Sequence, residues 1–274
     1  MKFRPMTKRA RWITGIVLGL LAAAALGLLV CSGFLERAMP PKDPLPVLMY
    51  HHLVKDGMPC NSMTVTESRM EQDLRWLKEN GYQTVLPREL AAELPRQEKT
   101  VMLTFDDGYR SNYELLFPLL KKYQMKAAIA VIVKKVDDGS PDTLTWDMCR
   151  EMERSGLVEI GSHTYALHNL DNQGNFRKDG PNGIARASGE SDVSFVQRVL
   201  VDLQKSHQRI VEELGEVTFF AYPYGIRESD ATAFIEKLFP VTLTTERRVA
   251  DLTKGIKNLP RIAVRMEVDL GKIL

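Results

Sequence analysis

The chain opens on an apolar run without polar punctuation. From Trp12 to Leu35 no charged residue occurs in 24 positions, and Ile13–Val30 is almost wholly Ile, Val, Leu, Ala and Gly. About 20 apolar residues cross a bilayer's hydrocarbon core as a helix, whereas the apolar part of a cleaved export signal usually runs about 7–15. No A-x-A-type cleavage site follows, and Val30 before Cys31 makes a poor lipoprotein box. The pattern predicts an uncleaved transmembrane signal anchor over 12–35, with a cleaved signal as the alternative. Residues 36–45, with Pro40-Pro41-Lys42-Asp43-Pro44, read as a short stiff linker.

After the linker, short apolar runs alternate with amphipathic ones. Strand-type runs are Pro46–Tyr50, Tyr82–Leu86, Thr100–Phe105, Ala127–Val133, Leu157–Ile160, Val217–Ala221 and Val241–Thr244. Ser68–Asn80 reads as a helix with Ser68 and Glu71 as a capping box and Met70, Leu74 and Leu77 on one face. Further helices are expected over Tyr113–Tyr123, Trp146–Ser155, Ser191–Leu214 and Asp230–Leu238, and the polar segment Asp171–Glu190 as a long loop. Such alternation predicts a parallel sheet with helices outside. With no second linker in residues 46–274, a single barrel-like α/β domain is expected.

Charge divides the chain in the same place. Residues 1–11 hold five of the 37 basic residues and none of the 35 acidic ones, so the rest carries 32 basic against 35 acidic. A basic tip before an apolar span stays cytoplasmic by the positive-inside rule, which sends the body outside. The mildly acidic body lacks the basic excess of a nucleic-acid surface. Cys31, Cys60 and Cys149 show no CxxC spacing, and nothing in the sequence demands a Cys60–Cys149 disulfide.

Three segments carry chemistry, each after a predicted strand: Thr104-Phe105-Asp106-Asp107-Gly108-Tyr109, Ser162-His163-Thr164-Tyr165-Ala166-Leu167-His168, and Phe219-Phe220-Ala221-Tyr222-Pro223-Tyr224-Gly225. In parallel α/β folds, groups just past the strands' carboxyl ends converge on one face. Asp-Asp-Gly alone is more often an Asx-turn than a site. Two histidines five apart point about 140° away from each other on a helix, so they share a metal only from a loop. One carboxylate and two imidazoles would make an open divalent-metal site. Of His51-His52, which end the first strand of the body, alternation lets only one face a shared site. His207, among helical Leu203 and Ile210, reads as structural or solvated.

Together these segments resemble the polysaccharide deacetylase family (carbohydrate esterase family 4, the NodB-type domain), over about residues 45–270. The resemblance implies a distorted (β/α) barrel. It implies Asp106 as general base and Asp107, His163 and His168 as ligands of a divalent metal, most often Zn2+, with Co2+, Ni2+ or Mn2+ as alternatives. Pro223 and Tyr224 would face the substrate, the Tyr224 backbone N–H helping to hold the oxyanion. Two positions depart from many members: Ala221 stands where an Arg orients the base, and no late Leu-x-His follows. Met49-Tyr50-His51, the five-residue histidine spacing and Leu259-Pro260-Arg261 instead resemble the branch acting on poly-N-acetylglucosamine. That branch implies His51 as general acid, and makes Arg261 the candidate to orient Asp106. The expected activity is hydrolytic N-deacetylation of an envelope or extracellular N-acetylglucosamine polymer. An O-acetyl glycan esterase and an inactive glycan-binding protein on the same fold are the alternatives.

Overall fold

The computed structural model describes residues 41–94, 96–168, 184–186 and 189–274. The expected anchor over 12–35 lies outside them, as does most of the polar segment 171–190. Among the described residues no helix is long and apolar enough to cross a membrane. The body forms one unit from Asp43 to Leu274. The end of the expected linker belongs to it: Pro44–Leu45 (β1) pairs antiparallel with Ala250–Asp251, because Leu45 is fully buried.

The remaining strands in chain order are β2 Val47–Tyr50, β3 His52–Val54, β4 Thr64–Thr66, β5 Gln83–Thr84, β6 Thr100–Phe105, β7 Ala127–Val131, β8 Val158–Ser162, β9 Phe219–Ala221, β10 Val241–Leu243, β11 Ala250–Asp251 and β12 Ile262–Ala263. The helices are α1 Glu67–Glu79, α2 Pro87–Ala91, α3 Phe117–Tyr123, α4 Val133–Asp137, α5 Trp146–Arg154, α6 Asp192–Leu214 and α7 Ser229–Leu238. Helix α1 starts earlier than expected: Thr66, not Ser68, is its cap, its hydroxyl accepting from the Arg69 N–H at 3.2 Å. The expected helix over Tyr113–Tyr123 begins instead as a π-turn, Asn112–Leu116, before α3.

The main sheet runs β10-β9-β8-β7-β6-β2-β12, with every pair parallel and β5 added beside β6. Its two ends are tied by one short segment. Leu259 bridges Leu243 of β10, while Ile262 and Ala263 pair with Leu48 and Met49 of β2. The result is the barrel-like curl that the alternation predicted, built on a parallel sheet with helices.

Period-two alternation sorts each strand between two cores. Leu48, Tyr50, Leu103, Phe105, Ile129, Val131, Ile160, Phe220 and Tyr222 pack toward the helices. Val47, Met102, Ala128, Ala130, Phe219, Ala221, Val241, Leu243 and Leu259 form the other cluster, inside the curl. Small residues there leave room for a few large ones. At Gly161 an added Cβ would lie 2.4–2.5 Å from three atoms of the Phe219 ring. Gly161→Ala is therefore expected to cost about 1–3 kcal/mol by overpacking. A urea-denaturation midpoint equal to wild type would contradict that reading of the interior.

Candidate active site

Strand ends bring the candidate residues to one rim. His51 follows β2, Asp106 and Asp107 follow β6, His163 follows β8, and Tyr222, Pro223 and Tyr224 follow β9. Arg261 immediately precedes β12 in the segment that ties the sheet's ends. Alternation explains the inward set: Tyr50, Phe105 and Ser162 face the helices, so His51, Asp106 and His163, one residue on, face the interior.

Asp106 and Arg261 make the rim's buried ion pair. The guanidinium donates through Nη1 to Oδ1 and through Nη2 to Oδ2, both at 2.7 Å, and Arg261 is wholly buried with Asp106 3% exposed. Arg261 also donates through Nε to the Thr244 carbonyl at 2.8 Å and through Nη1 to the Thr104 hydroxyl at 3.2 Å. Thr104 passes its own proton to the Leu48 carbonyl at 2.8 Å. Burial pushes the Asp106 carboxyl upward, but Arg261, with His163 and His51, outweighs it and holds the group well below the usual carboxylate range. Ala221, the position where an Arg was looked for, lies in the interior cluster, and the guanidinium reaches Asp106 from Arg261 instead.

His51 lies on the other side of that carboxylate, its Nε2 3.9 Å from Asp106 Oδ2. Burial lowers its pKa, against the pull of Asp106 and Asp107, which leaves the ring neutral near pH 7. The π-turn after the Asp-Asp-Gly segment explains its setting: Asn112 donates to the His51 carbonyl at 3.0 Å. The neighbouring His52 is turned away and stacks on Tyr109, ring centroids 4.6 Å apart. His207 is remote from this rim and packs against Phe239.

Asp107, His163 and His168 form a second cluster. Their donor atoms all lie within 4.8 Å of one another, Asp107 Oδ1 being 3.7 Å from His163 Nε2 and 3.3 Å from His168 Nε2. Asp107 has φ of 71°, a left-handed conformation costly for a non-glycine residue. That twist lets two adjacent carboxylates serve different partners. Asp107 Oδ1 is buried with no hydrogen-bond donor among the described residues, and two imidazole nitrogens face it. His163 Nδ1 lies 2.7 Å from the Ala221 carbonyl, which fixes Nδ1 as the protonated nitrogen and leaves Nε2 a lone pair. Burial, with His163 beside it, pulls His168 down to about 4, which leaves that ring neutral and able to ligate. A carboxylate and two imidazoles whose Nε2 atoms converge fit a divalent cation such as zinc. Tyr224, at φ of 57° in the Pro223–Gly225 turn, sets its ring 4.8 Å from that of His168. Cys60 and Cys149 do not pair: both are free, the first exposed and the second buried.

Sequence reasoning passed over Thr104, Thr244, Asn112 and Tyr109. Threonine inside an apolar strand was the available signal for Thr104; the carbonyl of Thr244 carries none.

Residues 93–239 match the family model described as polysaccharide deacetylase. The Bacillus subtilis protein YxkH, which carries the polysaccharide deacetylase name, is 32% identical over 238 residues, 85% of this chain and 75% of its own. The poly-β-1,6-N-acetyl-D-glucosamine N-deacetylase of Escherichia coli K12 is 27% identical over 250 residues, 82% of this chain but only 37% of that enzyme. A de-N-acetylase structure from Aggregatibacter actinomycetemcomitans aligns with a TM-score of 0.71 at 25% identity, over 85% of this chain and 100% of its own.

Removing one member of the buried pair tests the rim's electrostatics. Arg261→Met strands a buried carboxylate and is expected to cost about 3–5 kcal/mol in urea unfolding, with part regained in Asp106→Asn/Arg261→Met. In the wild type the Asp106 pKa is depressed, so its contribution is complete above the unfolded value of about 3.9 and is lost as pH falls through the folded value. In Arg261→Met burial instead raises that pKa, so the variant's deficit is expected to shrink on acidification. A deficit that is constant with pH would contradict the pairing.

Proposed function

This chain belongs to the polysaccharide deacetylase family, and from that premise we propose that it hydrolyses N-acetyl groups from a polymer containing N-acetylglucosamine, with a divalent metal at Asp107, His163 and His168. The observation that carries the reading is the pair of unlike carboxylates side by side: Asp106 clamped by Arg261, and Asp107 with a buried oxygen facing two imidazole nitrogens. The E. coli and A. actinomycetemcomitans relatives, both named as N-deacetylases, support an amide rather than an ester as the bond cleaved.

A metal held there supplies Lewis-acid polarisation of the acetamide carbonyl and of the attacking water. The rest falls to the chain's own groups. Asp106, ionised at all working pH values and held in one orientation by Arg261, accepts the water's proton as the oxygen attacks the carbonyl carbon. A carboxylate of so low a pKa keeps a proton poorly, and His51 Nε2, 3.9 Å away, is neutral and positioned to receive it. The resulting imidazolium then protonates the departing sugar nitrogen, because an amide anion is too basic to leave unprotonated. The C–N bond breaks, giving acetate and a free glucosamine-type amine. We assign the Tyr224 backbone N–H to the developing oxyanion, a contribution typically about 3–4 kcal/mol per donor; Pro223 shapes the same turn.

The domain reading follows the same proposal: tip 1–11, anchor 12–35, linker, and a catalytic body reaching to 274 on the outer side of the membrane. The apolar run and the basic tip support it.

The decisive measurement is acetate release from N-acetylglucosamine oligomers, peptidoglycan and acetylated xylan, with Zn2+, Co2+, Ni2+ or Mn2+ supplied in turn. Release from the first two and not from xylan is expected. Xylan alone as a substrate would make the chain an O-acetyl esterase, and metal binding without release from any glycan would make it a binding protein. Asp107→Ala and His163→Ala are expected to lose metal and activity together. Asp106→Asn is expected to keep metal while turnover falls about 10²–10⁴-fold; wild-type acetate release by that variant would remove Asp106 from the base role. In a pH–rate profile, His51→Ala is expected to lose the acidic limb, which protonation of the resting imidazole sets, and an unchanged limb would mean that another group relays the proton.

A further inference from the structure

Two histidines five residues apart can share one ion only if the chain between them is bent and held. The described turn shows how that is done. All four intervening N–H groups are accepted by side chains: Thr164 N–H by the Ser162 hydroxyl at 3.1 Å, Tyr165 N–H by Asp202 Oδ1 and Ala166 N–H by Asp202 Oδ2, each at 2.8 Å, and Leu167 N–H by the Thr164 hydroxyl at 3.2 Å. The Ser162 hydroxyl is itself paired with Ser206 at 2.6 Å. Asp202 and Ser206 lie four apart on α6 and so share the face turned to this segment. Thr164 sits at φ of 74°, so the turn carries backbone strain that surrounding contacts must hold. From the start of α4, the Val133 and Lys134 N–H groups donate to the Thr164 and Tyr165 carbonyls at 3.1 and 2.9 Å.

We propose that Asp202, a buried carboxylate 95 residues beyond Asp107 in the sequence, is a positioning residue that sets the distance between His163 and His168 by gripping the two central amides of their turn. Asp202 is only 8% exposed, and among the described residues its carboxylate is the acceptor of both N–H groups. Without those two bonds the strained turn is free to relax, and His168, on the far side of the grip, moves relative to His163, which β8 holds. Helix α6 thereby becomes part of the metal site although it contributes no ligand. The inference rests on the reading that Asp107, His163 and His168 hold a metal.

The test uses the full chain stripped of metal and titrated with Zn2+ alone. Asp202→Ala is expected to weaken zinc about 10–100-fold, as loss of a residue supporting a ligand does elsewhere. Asp202→Asn, which turns an amide N–H toward one of the two donors, is expected to weaken it as well, and carries the test if the alanine variant does not fold. With Co2+ at saturation, the absorption spectrum of both variants should differ from wild type, while the KM for glycan stays and kcat recovers toward wild type. In the metal-free chain, hydrogen exchange at Tyr165 and Ala166 should quicken in both variants. Wild-type zinc affinity together with wild-type exchange at those amides overturns the proposal. His163→Ala separates the two readings: if it binds Zn2+ as wild type does, the metal assignment fails, and the exchange measurement alone then decides whether Asp202 holds the turn.

Discussion

The bidentate pair between Arg261 and Asp106 is the interaction on which both the barrel and its rim depend. Moving a carboxylate and a guanidinium out of water costs several kcal/mol each, and only close, well-aligned hydrogen bonds offset it. Here every element of that geometry is tertiary. Asp106 comes from the end of β6, Arg261 from the short run that joins β10 to β2, and two further guanidinium protons go to the Thr104 hydroxyl and the Thr244 carbonyl. The segment that closes the sheet is thus the one that brings in the cation. The segment that closes the curl is also what keeps the buried candidate base charged.

A second constraint shapes the other carboxylate. Successive residues of an extended strand face opposite ways, so Asp106 and Asp107 could not both serve one rim if the strand continued. The left-handed backbone at Asp107 ends the strand and turns its side chain toward the histidines. The next residue, Gly108, at φ of 68°, packs so closely on Val131 that an added Cβ would lie 2.8 Å from its methyl, so only glycine fits there. Strain of this kind is stored where surrounding structure over-determines it. Left-handed non-glycine residues recur around the rim, at Asp107, Thr164 and Tyr224, one in each of the three segments that carry chemistry.

Much of this arrangement is legible in the chain itself, for reasons that are local. Strand-type runs at Thr100–Phe105 and Ala127–Val131 are apolar on both faces because both faces are buried, and their spacing by helical stretches implies parallel pairing. The three polar segments stand out because each breaks an apolar strand at its end. The helix cap was misplaced by two residues, since Ser68 and Glu71 satisfy the local rule as well as Thr66 does and only packing chooses. The late start of α3 was missed because a π-turn has no periodic signature; it exists to bring Asn112 to the His51 carbonyl.

What the sequence alone determined is therefore the class of the fold and the kinds of group at its rim: alternation dictates a parallel sheet, and residue types dictate a carboxylate, imidazole and guanidinium chemistry. What only tertiary structure decided is partnership. That Asp106 belongs to Arg261, 155 residues away, and Asp107 to the histidines, and that α6 grips the turn between those histidines, follows from strand register and sheet closure. Those are long-range quantities, set by which apolar faces bury together, and no window of neighbouring residues contains them.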